Sequence, residues 1–168
     1  MKVRTFSRRI FTAFLAVIFF SSPTLLFSAA PKKLANGLLP DEVISADELH
    51  GMMQKRQKVL ILDARSKRSF DTGRIEGASL PLKEAYYRSE EMFKNGLVPQ
   101  APDYEKALKE AAAEYPENIP VVTYCNAGCH AGAVLALRLK QFGVKNVRSM
   151  DEDFQVWETK GYPTEKSQ

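Results

Sequence analysis

Residues 121–132 read Val-Val-Thr-Tyr-Cys-Asn-Ala-Gly-Cys-His-Ala-Gly, and this stretch decides the fold. A short β-branched run ends at Cys125, a loop of small residues follows, and then a helical pattern begins. This order predicts a strand, a tight loop and a helix. Backbone N–H groups and a helix N-terminus converge at such a junction, and both favour the thiolate, which is the nucleophilic form of cysteine. We therefore predict that Cys125 is a nucleophile, the alternative being an inert cysteine that closes a core strand.

The first thirty residues of the 168-residue chain differ in composition from the rest. Four basic residues and no acid lie in the first nine positions, and residues 10–31 contain no charged side chain. The densest apolar run, residues 10–20, is too short to span a bilayer comfortably, and small residues follow at 28–30. This layout is typical of a secretory signal peptide over residues 1–30 and predicts export to the periplasm. An uncleaved membrane anchor that faces the periplasm stays open, as does the choice between general and twin-arginine export.

The excess positive charge of the chain lies in this leader. The chain has 24 basic and 20 acidic residues, of which residues 1–30 hold four basic ones and no acidic one, so the remainder is neutral. This balance gives no support for a nucleic-acid partner, and a membrane would be met only through an uncleaved N-terminal segment. The remainder suits one domain with a single core. Two cysteines cannot form a disulfide framework, but in an oxidising compartment they can form one reversible bridge.

Predicted strands and helices alternate along the remainder. Residues 31–42 have the breakers of a linker, and a capping box at 45–48 opens the first helix. The apolar run 59–62 predicts a central parallel strand that ends in Asp63. Helical stripes cover residues 104–115 and 131–142, short strands are predicted at 78–80 and 144–147, and a last helix opens at Phe154. Residues 83–102 are interpreted as a helical connection packed on the body.

This alternation predicts an α/β fold, with a central mostly parallel sheet and helices on both faces. Ligands of such folds bind beyond the carboxyl ends of the strands. Because Asp63 and Cys125 both fall at such ends, we expect them to face one site.

Several pieces of the sequence resemble the rhodanese (sulfurtransferase) family, in the family's order. They are Leu60-Ile61-Leu62-Asp63-Ala64-Arg65, Phe70, Gly73-x-Ile75-x-Gly77-Ala78-x-x-x-Leu82, Tyr124-Cys125-x-x-Gly128 and Phe154-x-x-Trp157-x-x-x-Gly161-x-Pro163. Together they imply a rhodanese-like domain over residues 43–164.

The resemblance also implies a function and a site. Cys125 would take sulfane sulfur from a donor, carry it as a persulfide and pass it to a thiophilic acceptor. Asp63 and Arg65 would support the loop as an ion pair. The implied partners are a small-molecule or protein sulfur donor and a thiol acceptor, with no cofactor and no metal. The substrate-binding loop that would hold the charged sulfur consists of Asn126, Ala127, Gly128, Cys129, His130 and Ala131.

Three positions depart from the family pattern. His130 stands where an arginine is common, and histidine is only partly charged near neutral pH because its reference pKa is about 6.5, so we expect weaker binding of thiosulfate. Glu152 and Asp153 stand where two glycines are common, and the loop there is expected to differ. Cys129 is an additional thiol. The related phosphatase and arsenate-reductase loops are one residue longer and end in arginine at the sixth position after the cysteine. This chain has Ala131 at that position, so we discount phosphate-ester chemistry.

Three other functions stay open. The departures also suit a non-catalytic rhodanese-like binding module. Cys125-x-x-x-Cys129-His130 resembles a c-type haem attachment motif with one residue too many between the cysteines. Binding of a soft metal by the same three residues is a weaker hypothesis, because no fourth ligand is evident.

Overall fold

The structure is a computed structural model that describes Leu34 and residues 37–167. The predicted leader, residues 1–30, lies outside these residues and stays a prediction. Within the described part of the chain, no helix has the length and apolar character needed to cross a membrane.

The described chain contains six strands and six helices. The strands are β1 (Val43–Ile44), β2 (Leu60–Asp63), β3 (Arg74–Ile75), β4 (Val121–Tyr124), β5 (Val147–Met150) and β6 (Thr164–Glu165). The helices are α1 (Ala46–Gln54), α2 (Lys67–Thr72), α3 (Glu84–Lys94), α4 (Tyr104–Ala112), α5 (Ala131–Gln141) and α6 (Phe154–Thr159). Strands and helices alternate except where α4 follows α3 directly. A short 3-10 turn (Pro40–Glu42) precedes β1.

The central sheet has four parallel strands in the order β1-β5-β4-β2. Asp63 at the end of β2 lies opposite Tyr124 at the end of β4, so the residues that follow these two strands leave the same edge of the sheet. The short strands β3 and β6 pair antiparallel in a second sheet. The predicted α/β fold with a mostly parallel sheet is confirmed.

Apolar side chains cover both faces of the sheet because consecutive residues of a strand point to opposite sides. In β4, Val121 packs with α4 and α5, whereas Val122 and Tyr124 pack with α1 and α6. The sheet is therefore buried on both sides, which explains why its strands read as continuous apolar runs.

Several predicted boundaries need correction. Leu38 is fully buried in the core beside α5, so the domain begins inside the segment 31–42 that the sequence predicts to be a linker. The fifth strand lies at 147–150 rather than 144–147, because Gly143 and Asn146, both with positive φ, form the turn after α5. Only Ser79 of the predicted strand 78–80 bridges to β2. Residues 84–94 are helical as predicted; none of them is fully buried, but Tyr86 and Tyr87 pack against the core.

Candidate active site

Cys125 is the first residue after β4, and its side chain is buried, with 7% of its surface exposed. Its carbonyl accepts a hydrogen bond from the N–H of Phe154, which joins the end of β4 to the start of α6. The loop residues 127–130 are exposed, and α5 begins directly after them. The structure therefore has the strand, loop and helix that the sequence predicts around this cysteine.

The loop turns sharply at Gly128. The N–H of Cys129 donates to the carbonyl of Asn126 at 3.1 Å, and Gly128 has φ +67°, a conformation that favours glycine. In the described structure, the N–H groups of Gly128 and His130 have no hydrogen-bond acceptor. Free N–H groups beside a helix N-terminus favour an anion at this place.

A disulfide joins Cys125 to Cys129, with 6.1 Å between their Cα atoms. The sulfur atom of Cys129 also accepts the N–H of Ala131 at 3.5 Å. Because Cys125 is buried and Cys129 is exposed, the bridge connects the interior of the site to its surface. In the bridged state, Cys125 has no free thiol.

Asp63 and Arg65 form a buried ion pair below the loop. Arg65 donates from Nε and Nη2 to both carboxylate oxygens of Asp63 at 2.7–3.1 Å, and Asp63 is fully buried. The hydroxyl of Tyr124 donates to the same carboxylate at 2.6 Å. Burial, with Asp63 nearby, raises the pKa of Tyr124, so this hydroxyl stays protonated and remains a donor.

Arg65 is held on all sides. Its guanidinium also donates to the carbonyl of Gly73 at 2.5 Å and to Oδ1 of Asn126 at 3.4 Å, and it lies 4.0 Å from the ring centre of Phe154. Burial acts to lower the pKa of Arg65, but the hydrogen bonds and charge of Asp63 outweigh it and raise that pKa overall. The positive charge of Arg65 is therefore neutralised by Asp63, and the contact with Asn126 ties the pair to the loop.

The acidic residues that replace the expected glycines have partners. The carboxylate of Glu152 accepts a hydrogen bond at 2.5 Å from the N–H of Ala46, at the N-terminus of α1. It also forms an ion pair with Lys160 at 3.1 Å. Asp153 caps α6 by accepting the N–H of Val156 at 2.9 Å. The predicted difference in this segment therefore takes the form of two helix caps.

A cavity of about 200 Å³ lies between this acidic segment and the cysteine loop. Its wall includes Cys125, Cys129, His130 and the three acids Asp151, Glu152 and Asp153. Among the described residues that line it, His130 is the only one whose side chain can carry a positive charge. The three acids weaken the affinity of the cavity for a dianion, and His130 is the side chain of the lining that can offset them.

A larger groove of about 760 Å³ lies between α2 and α3. Tyr86, Tyr87 and Tyr104 line it, and burial raises the pKa of Tyr87. Neither Cys125 nor any residue of its loop contributes to this groove. We therefore take the smaller cavity as the candidate active site.

The sequence profile of the rhodanese-like domain matches residues 45–160, which is more than half of the chain. The chain belongs to the rhodanese family. In the rhodanese domain, the buried ion pair, the cysteine loop and α5 occupy one edge of the sheet. No curated protein sequence gives a significant match to the chain.

Solved structures support the same rhodanese fold. The BH2092 protein of Bacillus halodurans is 12% identical with a TM-score of 0.56, over 75% of this chain and 77% of that one. The Alr3790 protein of Anabaena sp. is 19% identical with a TM-score of 0.53, over 74% and 92%. A thiosulfate sulfurtransferase of Pseudomonas aeruginosa is 16% identical with a TM-score of 0.50, over 74% of this chain and 20% of that one. At these identities the likeness concerns the fold alone.

The structure brings together all the site residues predicted for this rhodanese domain. The four residues that sequence reasoning missed connect the loop to the core. Tyr124 binds Asp63, Phe154 covers Arg65, Gln155 binds the loop at Ala127 and Asn126, and Gly132 lets α5 approach β4. Tyr124 and Gly132 could have been read from their places beside the predicted site residues Cys125 and Ala131. Gln155 carries no sequence signal of its own.

Proposed function

We propose that this chain is an exported sulfurtransferase or persulfide carrier that moves sulfane sulfur on Cys125. The single observation that carries the proposal is the place of Cys125, a buried cysteine between the end of a central strand and a loop with free N–H groups. The family includes sulfurtransferases, and a similar fold occurs in the thiosulfate sulfurtransferase named above. The proposal of export rests on the composition of residues 1–30.

The reaction begins once the disulfide is reduced. The Cys125 thiolate attacks the sulfane sulfur of a donor, and the rest of the donor leaves as an anion, for example sulfite when the donor is thiosulfate. The product is a persulfide on Cys125. An acceptor thiolate then attacks the outer sulfur, takes it and releases the Cys125 thiolate.

The loop stabilises the anionic sulfur in both steps. The N–H groups of Gly128 and His130 are free to face it, and α5 begins beside it. The Asp63–Arg65 pair acts through Asn126, which it holds by one hydrogen bond, and so keeps the loop in place. Asp63 and Arg65 are therefore positioning residues.

The test replaces Cys125 by serine in the reduced full chain and supplies thiosulfate as donor and cyanide as acceptor. We expect the variant Cys125→Ser to lose thiocyanate formation completely, because a serine hydroxyl cannot carry sulfane sulfur. Circular dichroism checks that the variant keeps its fold.

The matched control is Val134→Ser, which introduces serine at an exposed position of α5. This control should transfer sulfur as the parent does. If Cys125→Ser kept the parent's activity, the proposed nucleophile would be wrong. If the folded parent took no sulfur from several donors, the non-catalytic binding module would replace this proposal.

A further inference from the structure

The cysteine bridge connects two sulfur atoms that differ in access. Cys125 is buried at the end of β4, while Cys129 lies on the exposed surface of the loop. They are four residues apart, and the folded loop brings their sulfur atoms to bonding distance. In the reduced protein, the thiolate of Cys129 can therefore contact the sulfur of Cys125 without a rearrangement of the loop.

This reach matters once Cys125 carries a persulfide. A persulfide has an inner sulfur, which belongs to Cys125, and an outer sulfane sulfur. The disulfide shows that the sulfur of Cys129 can bond to the inner one. Attack there expels the outer sulfur as hydrosulfide, whereas attack on the outer sulfur only moves it to another thiol.

We infer that the Cys125–Cys129 pair makes this domain a sulfane-sulfur reductase, which releases the bound sulfur as sulfide and leaves the disulfide that the structure contains. The inference rests on the proposed function, since it needs the persulfide on Cys125. It extends that function from transfer of sulfur to reduction of sulfur.

The step balances without an external oxidant. The Cys129 thiolate forms a bond to the inner sulfur, the bond between inner and outer sulfur breaks, and its electron pair leaves with the outer sulfur as HS⁻. Two thiols are oxidised to one disulfide, and one sulfane sulfur is reduced to sulfide. With thiosulfate as donor, the dithiol protein and thiosulfate give the disulfide protein, sulfite and hydrogen sulfide.

The next turnover needs a dithiol reductant, either a small dithiol or a protein dithiol. Its thiolate meets Cys129 first, because Cys129 is the exposed end of the bridge. Attack at Cys129 releases Cys125 as the leaving thiolate, and the free N–H groups of the loop and the start of α5 favour that anion. The reductant then resolves its mixed disulfide with Cys129 by its second thiol. Because Cys129 is more exposed than Cys125, the reductant attacks Cys129, and this attack regenerates the Cys125 thiolate.

The experiment is a single turnover of the reduced, desalted full chain with thiosulfate in the absence of oxygen. Three products are measured: sulfite, sulfide and the mass of the peptide that contains the loop. The parent protein should release sulfite and sulfide in equal amounts, one of each per chain, and its loop peptide should become lighter by two hydrogens. The rate of sulfide release should not depend on protein concentration, because the attack is intramolecular.

The variant Cys129→Ser separates the inference from the proposed function. For each sulfite that it releases, it should retain one persulfide as a loop peptide heavier by one sulfur, and it should release sulfide on the order of 100-fold more slowly, since the intramolecular nucleophile is lost. The control Val134→Ser should behave as the parent.

Two results would overturn these conclusions in different ways. If the parent held its persulfide as long as Cys129→Ser does, the reductase inference would fail while the proposed sulfur transfer stood. If the parent released no sulfite, and its loop peptide neither gained sulfur nor lost two hydrogens, the proposed function itself would fail, and the inference with it.

Discussion

Arg65 holds the site together but does not supply its charge. Asp63 neutralises its guanidinium, the Gly73 carbonyl accepts another of its hydrogen bonds, and Phe154 covers its face. Among the described residues that line the cavity, this leaves His130 as the one cationic group available to a bound donor. Arg65 therefore contributes to the stability of the fold, whereas His130 is the side chain that can contribute to the affinity for an anionic ligand.

Removal of Arg65 should destabilise the fold strongly. Arg65→Ala leaves the fully buried Asp63 carboxylate without its counter-ion, and such a loss costs about 3–5 kcal/mol. Urea denaturation measures the change in the free energy of unfolding. The control Lys83→Ala breaks an ion pair with Glu114 that is exposed on both sides, and it should change the free energy of unfolding much less. Equal losses in the two variants would show that the buried pair contributes no more than a surface pair.

His130 should set the affinity for an anionic donor. Among the described residues that line the cavity, it is the only one whose side chain can carry a positive charge. His130→Arg has a permanent charge and a fork of donors, so it should bind thiosulfate more tightly than the parent, whereas His130→Gln should bind it more weakly. The measurement is the thiosulfate concentration at half saturation for the parent and both variants. Equal values in the three proteins would contradict this role for His130.

At the scale of the element, the start of α5 sets the shape of the loop. Gly132 lies against β4, where an added Cβ would meet the backbone of Tyr124 at 3.2 Å and the hydroxyl of Ser149 at 3.3 Å. Thr123 donates from its hydroxyl to the carbonyl of Gly132 at 2.7 Å, which secures the same approach. The close contact between helix and strand brings Cys129 back toward Cys125.

The variant Gly132→Ala tests this approach. We expect it to lower the free energy of unfolding by about 1–3 kcal/mol, the usual cost of a group forced into a packed place, because the neighbouring atom is backbone. The same substitution at Gly51 is the control, since that helical glycine has open space around its Cβ position. Gly51→Ala should raise stability by about 0.5–1 kcal/mol. Opposite signs in thermal denaturation support the contact, and a gain at both positions would refute it.

At the scale of the whole molecule, the fold does not depend on the bridge. Two apolar clusters, one on each face of the sheet, contain the large buried side chains, among them Trp157 and Tyr124 on one face and Leu108 and Leu139 on the other. The disulfide closes only a short loop at the edge of the sheet. The domain can therefore change its redox state without unfolding.

Reduction of the disulfide should leave the fold intact. Closing a loop of this length stabilises a protein by about 2 kcal/mol in the chain-entropy description. We expect reduction to lower the melting temperature by roughly 7 degrees and to leave the far-ultraviolet circular dichroism unchanged. Cys125→Ala/Cys129→Ala, which cannot be bridged, should match the reduced parent in both measurements. Loss of secondary structure on reduction would show that the bridge holds the fold.

Local sequence pattern was enough to predict the central strands and the place of the cysteine loop. Apolar runs that end in Asp63 and at Cys125 predict parallel strands, and the small residues after Cys125 predict a tight loop, because these features depend on local pattern. The predicted bounds of β5 were wrong because residues with positive φ, such as Gly143, form a turn before it. The predicted start of the domain was wrong because Leu38 packs into a core formed by residues distant in sequence.

Only the tertiary structure decided how the site is connected. The hydroxyl of Tyr124 on Asp63, the carboxylate of Glu152 on the start of α1, and the bond between Cys125 and Cys129 each depend on atoms that the backbone brings together with a precision of about an ångström. Local pattern places a residue on an element and a face, but it does not specify such distances. For this reason the sequence allowed a bridge between the two cysteines, and the folding of the loop against α5 made it.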